Sequence, residues 1–108
     1  MQQVPVYWSK AAEADLLAII RHIRNTRPQT ATQVFATIKN KAADLEIFPE
    51  RGRIIRELLA QGLAQYRELI ISPWSIIYRV ADDAVYVLAV IDSRRNIEDI
   101  LLDRLIRA

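Results

Sequence analysis

Cysteine is absent from this sequence of 108 residues, so disulfides and thiolate chemistry are excluded and the redox compartment is left open. Glycine occurs only at Gly52 and Gly62, which leaves no glycine-rich loop to cradle a phosphate. His22 is the only histidine and has no metal-ligand spacing around it, so no zinc site and no other cofactor is expected. There is no nucleophile elbow and no helical carboxylate–histidine motif. No apolar run is long enough to span a membrane, and the N-terminus lacks the charged-then-apolar pattern of a signal peptide, which reads as a cytoplasmic protein. Repeats, linkers and low-complexity segments are missing too, and the length suits one domain over residues 1–108. Lysine is scarce: three Lys stand against twelve Arg, in a chain of formal net charge only +2. The kind of cation is therefore more telling than the sum, since a guanidinium binds phosphate or carboxylate in a bidentate way.

What is present is apolar and patterned. Hydrophobic residues make up 52% of the chain, ample for a packed core and against disorder. The stretch Tyr66–Arg95 reads as three strands folded back on one another. Tyr66–Ile71 turns at Ser72–Pro73 into Trp74–Ala81, which turns at Asp82–Asp83 into Ala84–Asp92. Val, Ile, Tyr and Trp fill these runs, as a pleated, half-buried surface favours. Ala84–Ile91 is apolar at every position, which predicts a strand buried on both faces in the middle of a sheet. It delivers Asp92, Ser93, Arg94 and Arg95 to its exit.

The remainder frames that meander. Val4–Trp8 reads as a short strand, with Pro5 suiting an edge or a strand start. Ser9 is a plausible N-cap for a helix to about Asn25, whose stripe is Ala12, Leu16, Ile19, Ile20 and Ile23. Thr26–Arg27–Pro28 breaks it, and a second helix runs from Pro28 to about Ile47 with Ala31, Val34, Phe35, Ile38, Ala42 and Leu45 on one face. The short link predicts an antiparallel helical hairpin. Phe48–Arg53 is a turn in which Gly52 is free to take a positive φ. Ile54–Leu59 is too short for periodicity to choose between strand and helix. Arg51, Arg53 and Arg56 lie close to Glu50 and Glu57, as internal ion pairs or as an exposed patch. Asn96 caps a last helix whose stripe, Ile97, Ile100, Leu101, Leu105 and Ile106 with Leu102 beside it, is wide for a terminal helix. The expected class is α+β: N-terminal strand, helical hairpin, antiparallel three-stranded meander, C-terminal helix.

Candidate chemistry concentrates on that sheet. Tyr66, Arg67, Tyr78, Arg79 and Tyr86, followed by Arg94 and Arg95, suit a nucleic-acid phosphate or an acidic protein surface. Asp92 cannot absorb both terminal guanidiniums. At least one therefore faces a partner or an internal carboxylate such as Glu68 or Glu98.

Four segments carry a resemblance: WS–AAEADL at Trp8–Leu16, FPERGRIIREL at Phe48–Leu58, YRELIISPWSIIYRV at Tyr66–Val80 and VYVLAVIDSRRNIEDIL at Val85–Leu101. In this order they resemble the RelE/ParE superfamily of toxins from type II toxin–antitoxin modules, on the ParE side. The resemblance implies a plasmid-stabilisation type of toxin neutralised by a cognate antitoxin, reaching operator DNA only through that antitoxin and needing no membrane. It implies one of two targets: DNA gyrase for ParE-like members, or ribosome-bound mRNA for RelE-like endonucleases. The endonucleases carry an Arg after the aromatic that opens the second meander strand, where Ser75 follows Trp74 here. They often place a Tyr or His in the closing segment, where Ile100, Leu101 and Leu102 stand. Arg94–Arg95 matches the family's basic pair, and a pair of Arg without a proton donor or acceptor binds better than it cuts. The expectation is therefore a gyrase-directed toxin, with an mRNA endonuclease of altered catalytic set, or an inactivated toxin kept as co-repressor, as alternatives. Target-binding candidates are Tyr66, Arg67, Tyr78, Arg79, Arg94 and Arg95; antitoxin-binding candidates are Leu101, Leu102, Leu105 and Ile106.

Overall fold

A computed structural model describes residues 3–107. Ten short elements follow in order: β1 (Val6–Trp8), α1 (Lys10–Arg24), α2 (Pro28–Ala43) with a 3-10 turn at Asp44–Glu46, β2 (Arg53–Ile54), α3 (Arg56–Leu59), β3 (Tyr66–Ile71), β4 (Trp74–Ala81), β5 (Ala84–Asp92) and α4 (Ile97–Arg107). The meander, hairpin and closing helix are those the sequence predicts. Ser9 Oγ accepts the Ala12 N–H at 3.0 Å and so starts α1 as an N-cap. Asp82 and Asp83 both take positive φ, 52° and 62°, the geometry a two-residue hairpin needs to match strand twist.

Three features differ from the expectation. Helix α2 stops at Ala43 rather than Ile47, because the chain tightens there into the 3-10 turn. Ile54–Leu59 is both strand and helix: β2 ends at Ile54 and α3 begins at Arg56. The sheet has five strands in the order β1-β5-β4-β3-β2, since β1 pairs parallel with β5 and β2 pairs antiparallel with β3.

Both faces of the sheet are covered. On one face α1 and α2 bury Ala12, Leu16, Ile38 and Ala42 against Ile76, Tyr78, Val85, Val87 and Val90. On the other, α3 and α4 bury Leu58, Ile97 and Leu101 against Tyr66, Ile77, Ala89 and Ile91. This two-sided burial is why Ala84–Ile91 lacks any polar alternation. Burial at about 25 cal/mol per Å² of apolar surface makes these two cores the main stabilising term. Leu88 is an extra residue in β5: Tyr78 pairs with Val87 but Ile77 with Ala89.

Candidate functional site

The period-two alternation of β3 sends Tyr66, Glu68 and Ile70 to the α3/α4 face of the sheet. β2 pairs with β3 so that Arg53 stands opposite Glu68. The Glu68 side chain is only 2% exposed, and its Oε1 meets Arg53 Nη2 as an ion-pair contact without an aligned hydrogen bond. A carboxylate so deeply placed needs that mate, because burying a lone charge is far costlier than burying a paired one. Beside this pair lies a cavity of about 410 Å³, walled by Arg53, Glu57, Glu68, Ile70, Arg94, Arg95 and the first residues of α4. Asn96 Oδ1 accepts the Asp99 N–H at 3.1 Å, which caps α4 and fixes the corner that carries the two arginines.

Arg94 and Arg95 leave that corner differently. Arg94 forks onto Asp92, Nε to Oδ1 at 3.0 Å and Nη2 to Oδ2 at 2.7 Å, while its own N–H donates to Oδ1 at 2.9 Å. The Arg94 side-chain hydrogen bonds hold the Asp92 carboxyl down at about 2, although the Arg94 side chain is 83% exposed. Arg95 is exposed, and its guanidinium forms no ion pair among the described residues. It lines the cavity just described and also a second one, of about 430 Å³, between α1 and α4.

The other candidates lie elsewhere. Tyr66 and Tyr78 are buried, one in each core, with no face left for a macromolecule. Tyr78 Oη accepts the Gly52 N–H at 2.8 Å, and burial pushes its pKa up. Gly52 does not take the positive φ expected of it; its reason is space, since a Cβ there would come within 2.7 Å of Tyr78 Oη and 2.8 Å of the Glu68 carbonyl. Arg67 Nη1 donates to the Gly52 and Glu50 carbonyls, at 2.8 and 3.2 Å, and so ties the same loop to β3. Arg79 lies 4.8 Å from the Tyr86 ring, which stacks in turn on Tyr7 at 5.7 Å. On α4, Leu101 is buried in the core, Leu102 is half-buried and Ile106 is 82% exposed, while the side chain of Leu105 lies outside the described residues. Leu101 therefore holds α4 to the sheet, because its position on the helix faces inward, and does not present itself to a partner.

The structure thus gathers Arg94 and Arg95 with Arg53, which the sequence offered as part of an ion-paired or exposed basic group, and with Glu68, which it offered as a mate for a terminal arginine and which pairs with Arg53 instead. The signal for their pairing was a charged residue at an inward position of β3 and an opposite charge on β2, legible only once β2 is known to be a strand beside β3. Chemically, the arrangement offers guanidiniums for phosphate or carboxylate and one buried carboxylate. Among the described residues, no group of three or more His, Cys, Asp or Glu is placed to hold a metal ion.

The family model described as the ParE toxin of the type II toxin–antitoxin system parDE matches residues 6–97. The chain is 35% identical over 86 residues to Toxin RelE2 of Caulobacter vibrioides, spanning 79% of this chain and 90% of that one. Its fold is similar to a chain of the chromosomal ParDE toxin–antitoxin system of P. aeruginosa, with a TM-score of 0.68 at 22% identity over 83% of this chain and 96% of that one. It is also similar to a chain of the RelBE2 toxin–antitoxin complex of Mycobacterium tuberculosis, with a TM-score of 0.60 at 23% identity over 85% and 93%.

Proposed function

Because this chain belongs to the ParE toxin family of type II toxin–antitoxin systems, we propose that it stops replication by binding DNA gyrase and is neutralised by a cognate antitoxin. The observation that carries the gyrase reading is the make-up of the arginine cavity. Arg95 forms no ion pair among the described residues and faces the cavity with the exposed, Asp92-paired Arg94, as an acidic or phosphate-bearing surface requires. Glu68, the buried carboxylate beside them among the described residues, is held by Arg53. No histidine or tyrosine stands at Ile100, Leu101 or Leu102, and Ser75 is fully buried. A group that is to move protons needs a proton acceptor within reach and free to change charge. Binding without bond cleavage fits such a site.

Expressed alone, the chain should cause filamentation and a DNA-damage response while bulk translation continues. The purified protein should inhibit supercoiling by gyrase. The Arg94→Ala/Arg95→Ala double variant should fold normally and lose both effects, with target affinity lower by about 1–3 kcal/mol, the scale of charge-assisted bonds. A folded double variant of full toxicity removes this pair from the site.

A second reading, cleavage of mRNA on the ribosome, has one observation in its favour: Glu68 lines the same cavity as three guanidiniums, a set able to hold a phosphate beside a carboxylate base. Transcripts cut within codons after induction, and abolished by Glu68→Gln, would replace the gyrase reading with this one.

A further inference from the structure

Four residues stand in register across the sheet: Tyr7 on β1, Tyr86 on β5, Arg79 on β4 and Tyr66 on β3. Their strand neighbours, among them Val6, Trp8, Tyr78 and Val85, pack into the α1/α2 core, so alternation puts the row on the opposite face. Tyr66 is buried there with Ile55 and Leu58. The other three reach solvent: Arg79 and Tyr86 are half-buried, and Tyr7 is 53% exposed on the outermost strand. Their flat faces engage one another, since Tyr86 stacks on Tyr7 and carries Arg79 over its ring. What is left to solvent is the rim of the stack, the phenol hydroxyls and the N–H edge of the guanidinium. None of the three side chains makes a hydrogen bond or an ion pair among the described residues. Arg56 adds a second unpaired guanidinium at the Tyr66 end: it is exposed and follows Ile55, whose N–H donates to the Tyr66 carbonyl at 3.2 Å. The nearby carboxylates are placed elsewhere. Asp82 and Asp83 form the hairpin tip, beyond the Val80–Val85 and Ala81–Ala84 pairs, and neither forms an ion pair with Arg79. Glu57 lines the arginine cavity.

We propose that this row binds the phosphate backbone of DNA, so that the toxin touches the nucleic acid its target holds as well as the target itself. The inference rests on the gyrase reading, which brings DNA within reach, and adds a contact which that reading does not contain. Hydroxyls of tyrosine and guanidiniums of arginine are phosphate ligands, and contacts of this kind fix position without reading sequence. Stacking holds the donors upright before any ligand arrives, which lowers the ordering cost of binding. From Tyr7 to Arg79 the row crosses two strand spacings, about 10 Å, with no pocket to select a single carboxylate. Duplex DNA carries a charge for every ~1.7 Å of its axis, so a flat row meets phosphates wherever it lands. The acidic hairpin tip repels a backbone that strays past Arg79 and so bounds the footprint on that side. About 20 Å of strand separates Tyr86 from Asp92, which makes the row distinct from the arginine cavity at the other end of β5.

The test uses the full chain and a fluorescein-labelled DNA duplex of mixed sequence, with binding followed by anisotropy over a series of salt concentrations. The Tyr7→Phe/Tyr86→Phe/Arg79→Gln variant keeps the stacked rings and loses the rim donors, and should bind the duplex at least tenfold more weakly. Arg56→Gln alone should lower the slope of log affinity against log salt by about 1, the signature of one lost phosphate contact. Arg21→Gln, exposed on α1, removes the same charge from another element and should change neither. Circular dichroism checks that each variant is folded. In supercoiling assays the triple variant should need at least ten times more protein to inhibit gyrase, with its binding to DNA-free gyrase unchanged. A wild-type chain that binds no duplex, or a triple variant that binds it as the wild type does, overturns the DNA contact and leaves the gyrase reading standing. A triple variant that loses DNA-free gyrase and keeps the duplex assigns the row to an acidic protein surface and also overturns the proposal. A wild-type chain that binds the duplex through this row and does not inhibit gyrase upholds the contact and removes the gyrase reading.

Discussion

Tyr78→Phe is the most informative single perturbation of this fold. The Tyr78 side chain is fully buried, and its hydroxyl is the acceptor for the Gly52 N–H at 2.8 Å. Removing that oxygen changes almost no volume but orphans a buried donor, which costs about 1–3 kcal/mol. For a domain of this size each kcal/mol moves Tm by about 4 °C, so the expected loss is about 4–12 °C. Gly52→Ala attacks the same contact from the other side, placing a Cβ 2.7 Å from Tyr78 Oη and 2.8 Å from the Glu68 carbonyl. Loss of the hydroxyl relieves the first clash, but not the second, nor the 2.9 Å approach to Tyr78 Cε1. The alanine should therefore be less damaging in the Tyr78→Phe background than in the wild type, a coupling that a double-mutant cycle measures directly. A pH signature accompanies it. Burial raises the Tyr78 pKa above its ordinary 10.0, so below pH 10 both states keep the proton, and above it the unfolded chain ionises first. Stability should fall as pH rises past 10, and Tyr78→Phe should lose less on that limb. Circular-dichroism melts and urea titrations decide the matter. Additive effects of the two substitutions, or a Tyr78→Phe penalty under about 0.5 kcal/mol, would refute the reasoning.

Three further outcomes are expected. The Asp92 carboxyl should titrate near 2 by carbon NMR and move up toward 3.8 in Arg94→Ala. Its folded pKa is depressed, so the pair's contribution is present above pH 3.8 and disappears as pH falls toward 2. Asp15→Ala should lower urea stability by about 1–3 kcal/mol, because it strands both the Val90 N–H and the Arg104 guanidinium; a loss under about 0.5 kcal/mol would show that water replaces the carboxylate. Arg53→Ala should cost about 1–3 kcal/mol by leaving Glu68 buried without its mate, discounted because Arg53 is itself 48% exposed, and an Arg53→Met/Glu68→Leu double variant should recover most of it.

The elements that were legible in the sequence carry their cause locally. The unbroken apolar run of β5 needs cover on both faces, and α1/α2 and α3/α4 supply it. The Asp pair at 82–83 tolerates positive φ, and Ser9 has the acceptor an N-terminal turn requires. What was not legible depends on distant pairing. β1 was legible as a short strand, but its parallel partner lies nearly the whole chain away, so nothing nearby announces the pairing. Gly52 is glycine because Tyr78, 26 positions later, closes on its Cα, and no turn rule contains that contact. Tyr66 and Tyr78 look like surface aromatics on an alternating strand until both faces prove to be covered. Residues 54–59 are shorter than either period, and tertiary packing of Ile55 and Leu58 decides their structure.

The arginines show the same division at the level of the site. A net charge of +2 says little about any one of them, because what matters is which carboxylate the fold brings within reach. Asp92 captures Arg94 from two residues away, a pairing local enough to read in advance. Glu68 captures Arg53 across the antiparallel β2–β3 pair, and Asp15 captures Arg104 from the far end of the chain. Arg95 forms no ion pair among the described residues, and it lines both the arginine cavity and the cavity between α1 and α4. Arg95→Lys should weaken target binding, since a point charge keeps the sign and loses the fork.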